Sequence, residues 1–378
     1  MTTARTVDVL VVGAGPAGLC AAARLAALGA GTVEVLEREP NPAGVRRWAD
    51  AAVRAGAVLR TGVTATGWSG PLTLGTTSPS GRERVTARAV ILATGARERP
   101  RGARLVPGTR PAGVWTGGEL RRAVYGHGQD VGTRAVVVGA GPDARRAVRT
   151  LRRAGVEVAA LVTEEPWRAP GALTGRTPVL GGTTVAEILG RGRLSGVRVL
   201  RRDGRAATVA CDTVVFTGDW IPEHDLARTG GVALDPATRG PAVDGAFRTS
   251  VTGVFAVGGL LHGGEPAGTA VEEGRAVAAP VLAHLSGRAP WPGACVPVVA
   301  DAPLRWVTPN RLGTAGGRLL LRAGRPLALP VVVVSQDGAP LLRRRVWRVV
   351  VPSRSLTLPA GWAARVDPGG GPVRVRVV

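Results

Sequence analysis

VDVLVVGAGPAGLCAAARLAALGAGTVEVLER, residues 7–38, decides how the rest of the chain is read. Strand character at Val9 to Val12 runs into Gly13-Ala14-Gly15-Pro16-Ala17-Gly18, an Ala/Leu-rich helix follows to a Gly29 cap, and a second strand, Val33 to Leu36, ends on an acid. Gly13 permits the tight turn, Gly15 lets backbone amides approach a pyrophosphate, and Gly18 lets helix and strand pack closely. The helix N-terminus, at Pro16 and Ala17, supplies free N–H groups and a partial positive charge for phosphate. Glu37 lies 24 residues beyond Gly13, where a ribose-binding carboxylate belongs, with Arg38 beside it. A glycine triplet alone is a weak signal. With strand, helix and acid in register, the spacing predicts a dinucleotide site; the rival reading is a Rossmann-like unit that binds nothing.

Working outward, 378 residues can hold two or three domains, and 45% hydrophobic content with 55 Gly and 29 Pro describes a globular, turn-rich chain. The net charge of +22 resembles a nucleic-acid signature. All 49 basic residues are Arg, scattered through every segment with no basic block, so a compositional bias explains the charge better and no nucleic-acid partner is expected. Cys20, Cys211 and Cys295 are far apart and form neither a redox pair nor zinc-ligand spacing, which suits a reducing cytoplasm. No metal site is expected. No apolar run reaches about 18 residues, so neither a membrane span nor a membrane partner is expected.

After Glu37, Val45 to Ala55 reads as a helix, and Leu59 to Trp68, Leu72 to Thr76 and Arg84 to Ala87 read as strands of a meander. Ala89 to Ala96 is then a buried strand closing on Thr94-Gly95-Ala96, which brings backbone to the carboxyl edge of the sheet, where ligands of open α/β folds bind.

From Arg134 the pattern repeats: a strand at Ala135 to Val138, the turn Gly139-Ala140-Gly141-Pro142-Asp143-Ala144, and a helix whose apolar face is Ala144, Ala147, Val148 and Leu151. Ala144 occupies the third glycine position, a tolerated variant. Counting 24 residues from Gly139 reaches Thr163 rather than an acid. A working NAD(P) site at Gly139, Gly141 and Ala144 is weighed against a retained scaffold that no longer binds nicotinamide. Val197 to Leu200 and Ala207 to Ala210 flank the hairpin signal Asp203-Gly204, and Asp212 to Asp219 echoes the Thr94-Gly95 strand. The stretch Glu164 to Thr183 is too rich in Pro and Gly to assign.

The opening motif with Glu37, ATGA at Ala93 to Ala96, the second nucleotide-like unit and RTSVTGVFAVGG at Arg248 to Gly259 follow in the order of the two-dinucleotide-domain flavoproteins. The chain resembles the FAD-dependent pyridine nucleotide-disulfide oxidoreductase superfamily over about residues 5 to 290. Within it, ATGARERP at Ala93 to Pro100 and GVWTGGEL at Gly113 to Leu120 are most similar to the alpha subunits of sarcosine oxidase and related amino-acid and opine dehydrogenases.

The resemblance implies FAD as cofactor, held by Gly13, Gly15, Pro16, Ala17, Gly18, Glu37, Arg38, Thr94, Gly95, Ala96, Gly258, Gly259, Thr269 and Ala270. It makes Val254 to Gly259 the last flavin-binding strand, where Gly259 replaces the usual Asp, leaving only a backbone amide for phosphate and removing a contact of ~1.5–3 kcal/mol. It also directs the amino end of a helix at Thr269 to Leu285, broken near Pro280, toward flavin or pyrophosphate. From Glu37 to Thr94 is 57 residues, shorter than the family's usual segment over the adenosine.

His262, just past Gly259, is placed near flavin or phosphate, while Glu272-Glu273 reads as a solvated helix face. From Trp291 onward the chain is β-rich, with strands at Val331 to Ser335, Arg344 to Val351 and Val373 to Val378 and with Trp306, Trp347 and Trp362 as core anchors.

The fold class expected is α/β, two Rossmann-like domains with the second inserted in the first, plus a small β-rich C-terminal module. The domain divisions are 1–112, 113–245, 246–290 and 291–378. The expected function is an FAD-dependent oxidoreductase acting on a small-molecule amine or amino-acid-like substrate, or relaying its electrons, with a second oxidoreductase subunit or as an oligomer. The alternatives are an NAD(P)H-dependent flavoprotein reductase of an acceptor protein, and a non-catalytic subunit with a degenerate flavin site. The sequence assigns no catalytic residue.

Overall fold

The computed structural model describes residues 3–42, 44–165, 177–313 and 318–378. The chain forms two compact units, residues 1–96 with 222–378, and residues 97–221.

In the first unit, β1 (Thr3–Val12), α1 (Pro16–Ala27), β2 (Val33–Glu37), α2 (Arg46–Arg54) and β3 (Val58–Thr61) build a parallel half-sheet, and β4 (Thr64–Gly70), β5 (Thr73–Ser78) and β6 (Gly81–Leu92) extend it antiparallel, in the order β3-β2-β1-β6-β5-β4. β6 serves both halves. Its whole length runs parallel to β1, from Thr3↔Glu83 to Val12↔Leu92, while Gly81 to Thr86 pair antiparallel with β5. The strand Val254–Ala256 adds to the carboxyl end of β6, Val254↔Val90 to Ala256↔Leu92. Ala89 to Leu92 are fully buried, as a central parallel strand covered on both faces requires. The expected strand Leu59 to Trp68 is two strands in different halves of the sheet, because Gly62, at φ +69°, breaks it.

The second unit carries a five-stranded parallel sheet in the order Val179–Gly181, Glu157–Thr163, Arg134–Val138, Thr213–Phe216, Val114–Thr116. The helix Pro142–Arg153 buries Ala144, Ala147, Val148 and Leu151, the face that its period dictates. An antiparallel meander, Thr183–Arg191, Arg193–Arg201 and Ala206–Ala210, turns at Asp203-Gly204. Most of the unassigned Glu164 to Thr183 stretch lies outside the described residues.

Back in the first unit, the helix expected over Thr269 to Leu285 is two, Ala267–Ala276 and Ala278–Leu285. The break is at Val277, and Pro280 sits in the first turn of the second helix, where its missing N–H has no helical partner to lose. The β-rich module has a five-stranded sheet, Arg311–Leu312, Val296–Ala300, Val373–Val377, Val331–Gln336, Ala339–Arg345, and a three-stranded one, Leu304–Thr308, Leu319–Ala323, Leu356–Leu358. Leu319, Leu321, Val332, Val334, Leu358, Trp362, Val373 and Val375 fill its core. The strand expected at Arg344 to Val351 ends at Arg345, and Trp347 is 78% exposed with the Arg345 guanidinium 5.2 Å over its ring. Trp306 and Trp362 are buried.

Candidate dinucleotide site

β1 delivers the chain to Gly13, whose φ of +109° and closeness to the Ala93 carbonyl, which a Cβ would strike, exclude any other residue without strain. At Gly18 a Cβ would run into the Gly13 carbonyl and stand 3.1 Å from Val11 Cγ1, so α1 is seated directly on the strand. Gly15 is the opposite case. Nothing lies within 4 Å of where its Cβ would be, and α1 begins on Pro16 with no side chain capping its amide groups. Those N–H groups are orphans facing an open turn, the arrangement that binds phosphate. Glu37 closes β2, half-buried, accepting the Ala14 N–H on Oε2 and the Glu39 N–H on Oε1, both at 2.9 Å. Each oxygen keeps a second lone pair for a hydroxyl. Arg38 is exposed.

Two further turns meet this one. Thr94, Gly95 and Ala96 follow β6, half-buried; the Thr94 hydroxyl donates to the Glu223 carbonyl at 2.8 Å, and the Glu223 N–H donates to the Gly95 carbonyl at 2.9 Å. After the Val254–Ala256 strand, Gly258 bears on Ala17, and Gly259 lies with the position of its missing Cβ 3.6 Å from the Ala96 nitrogen and 3.7 Å from Gly95 Cα. The ends of β1, β6 and this strand therefore converge. In the Ala267–Ala276 helix, Gly274 packs on the Ala17 carbonyl, and Thr269 and Ala270 are half-buried in the first turn, where Pro266 supplies no side-chain cap.

One expectation fails at this place. The Gly258 N–H is not left for a phosphate; it donates to Glu273 Oε2 at 2.8 Å. Glu273 is buried rather than solvated, and its Oε1 meets His262 Nε2 at 2.6 Å. His262 is fully buried and stacks on Trp306, so it faces the interior. Burial opposes its imidazolium, but the Glu273 carboxylate, with Glu265 farther off, outweighs this and raises the pKa above its ordinary value. Periodicity carried a signal for Glu273: Ala270, Glu273, Gly274 and Val277 fall at i, i+3, i+4 and i+7, the inward face. Glu272, its neighbour in sequence, is exposed and pairs with Arg318.

Residues 7–274 match the family model described as pyridine nucleotide-disulphide oxidoreductase. The chain belongs to that family. It is similar to the opine oxidase A-subunit of Rhizobium meliloti, 27% identical over 339 residues that make up 74% of this chain and 61% of that one. Its counterpart from Agrobacterium tumefaciens (strain Ach5) is 28% identical over 339 residues, 74% and 64% of the two chains. The chain thus spans about three-fifths of the length of the curated relatives it matches. Among solved structures it resembles the thioredoxin reductase of T. acidophilum, with TM-score 0.60 and 25% identity, covering 74% of this chain and 98% of that one.

Members of the pyridine nucleotide-disulphide oxidoreductase family are FAD-dependent oxidoreductases that bind FAD and NAD(P). At the first turn the residues fit FAD: an open Gly15, an uncapped helix start and Glu37 at the end of β2 are the donors and acceptor that a pyrophosphate and ribose need. At the second turn they do not fit NAD(P). Gly139 keeps the geometry at φ +125°, but Asp143 in the first helical turn puts a carboxylate where phosphate would go, bonded to Arg146 at 2.8 Å and to Trp220 Nε1 at 3.1 Å. Thr163 ends its strand without an acid, and Glu164 is exposed. At the carboxyl ends of the neighbouring strands, Glu98 accepts the Gly118 N–H at 2.7 Å and the Gly218 N–H at 3.2 Å. Burial raises its pKa. The chain's own carboxylates thus occupy the anion positions of this unit.

The thiols do not match the family's disulfide chemistry. All three are free, and burial pushes them upward, Cys211 to about 11, the reverse of an activated thiolate. Among the described residues no cluster could hold a metal ion, and no helix is long and apolar enough to cross a membrane.

Proposed function

We propose that this chain is the FAD-binding chain of an oxidoreductase that oxidises a small amine or amino-acid-like substrate, or relays electrons from it, in company with a second subunit. The observation that carries the reading is the open Gly15 turn against the uncapped start of α1, with Glu37 at the end of the adjacent strand. Bound FAD would supply the two-electron acceptor. The chain's own part is to fix the dinucleotide: α1 amides toward the pyrophosphate, Glu37 toward the adenosine ribose, and the turns at Gly95 and Gly259 beside the ring system. The relatives support both the substrate class and the multi-subunit assembly, since each is named as one subunit of an opine oxidase.

The test is an absorbance spectrum of the purified protein before and after incubation with FAD. Flavin bands that stay with the protein through gel filtration are the expected result; their absence after reconstitution defeats the reading. One observation favours a second reading, a non-catalytic subunit: Gly259 offers no side chain to a ribityl group and the Thr94 hydroxyl is engaged with Glu223. That reading requires an apo protein which co-purifies with an enzyme partner.

A further inference from the structure

The turn after the Val254–Ala256 strand is held from outside. Glu273 receives the Gly258 N–H on one oxygen and His262 on the other, and both side chains are buried. The imidazole lies on Trp306 of the Leu304–Thr308 strand, ring centres 5.7 Å apart and planes inclined by 20°. The Arg322 guanidinium covers the same indole at 5.3 Å and is ion-paired with Glu265, whose other oxygen accepts from Ser355 Oγ at 2.7 Å. An unbroken run of buried polar and aromatic contacts therefore links the β-rich module to the backbone of Gly258. A carboxylate withdrawn from water is costly unless its oxygens are paired, and the indole of Trp306 covers the imidazole of the pair that satisfies it.

We propose that the β-rich carboxyl-terminal module clamps the flavin-side turn, through Trp306, His262 and Glu273, and that Glu273 is the positioning residue for Gly258-Gly259. This rests on the FAD reading above. Gly258 bears on Ala17 and Gly259 on Gly95-Ala96, so this turn cannot shift without disturbing the other two, and all three line the proposed cofactor crevice. The module thereby acquires a role that its own sequence, which carries no catalytic pattern, does not announce.

The test compares wild type with Glu273→Ala, Glu273→Gln and Trp306→Leu, by hydrogen exchange of the backbone around Gly258 in the apo protein and by FAD titration. Gln can still accept the Gly258 N–H; Ala cannot. Glu273→Ala and Trp306→Leu are expected to exchange faster at Gly258 and to weaken FAD binding by about tenfold or more, and Glu273→Gln to stay within about threefold of wild type. If Glu273→Ala does not fold, Trp306→Leu reads the same link from the module's side. Wild-type exchange and wild-type FAD affinity in the folded variants overturn the clamp. A wild-type protein that takes up no FAD sinks the cofactor reading instead, and the exchange measurement then decides the clamp alone.

Discussion

Single residues set how strongly the crevice can hold its ligand. Gly259 is the clearest case. A side chain there would meet its neighbours at 3.6–3.8 Å, ordinary van der Waals distance, so the backbone does not demand glycine. Gly259→Asp should fold normally and strengthen FAD binding about tenfold, in line with one charge-assisted hydrogen bond of ~1.5 kcal/mol, as read by fluorescence titration. His262 makes a pH prediction. Its pKa is raised in the fold, so its contribution to stability is complete below the unfolded value near 6.5 and fades as pH climbs through the folded one. The groups facing it are Glu273, Glu265 and, across Trp306, Arg322, and the acids beside it favour the charged form. The loss of unfolding free energy in His262→Gln, measured by denaturant titration, should be larger at about pH 6 than at about pH 9. Glu37 was legible from its distance to Gly13, because strand–helix–strand spacing is local geometry. His262 was misplaced, since nothing adjacent in sequence shows that Glu273 and Trp306 close over it.

Among the elements, the Ala267–Ala276 helix shows what periodicity reveals and what it leaves out. Its inward face was readable, but an acid on that face is explained only by the Gly258 amide and the His262 ring that it meets. Gly274 lets this helix touch α1 at Ala17, and a Cβ there would strike backbone. Gly274→Ala should therefore cost about 1–3 kcal/mol of stability, seen as a lowered Tm, with FAD affinity falling alongside because the start of α1 must move. Strands fared unevenly. Ala89 to Leu92 reads as central because every residue is apolar, whereas Leu59 to Trp68 and Arg344 to Val351 read as single strands although Gly62 divides the first and the second is irregular after Arg345. Alternation signals extended chain; which partner each piece finds, and where pairing stops, is decided by other strands.

For the whole molecule, the two glycine turns have parted ways: the first stays open, while the second is met by the chain's own acids, Glu98 and Asp143. Anaerobic addition of NADH or NADPH to FAD-loaded protein is expected to leave the flavin absorbance unbleached, and rapid bleaching would restore the reductase reading. The order of motifs along the chain was enough to determine the family and the two parallel sheets, since a glycine turn after a strand and before a helix is specified within some thirty residues. Only tertiary structure decided that Gly258 is held by Glu273, that the β-rich module stacks Trp306 on His262, and that carboxylates fill the second unit's anion positions. Those outcomes depend on pairings between residues 11 to 120 positions apart. Such pairings obey burial and charge balance in three dimensions, and no local pattern records them.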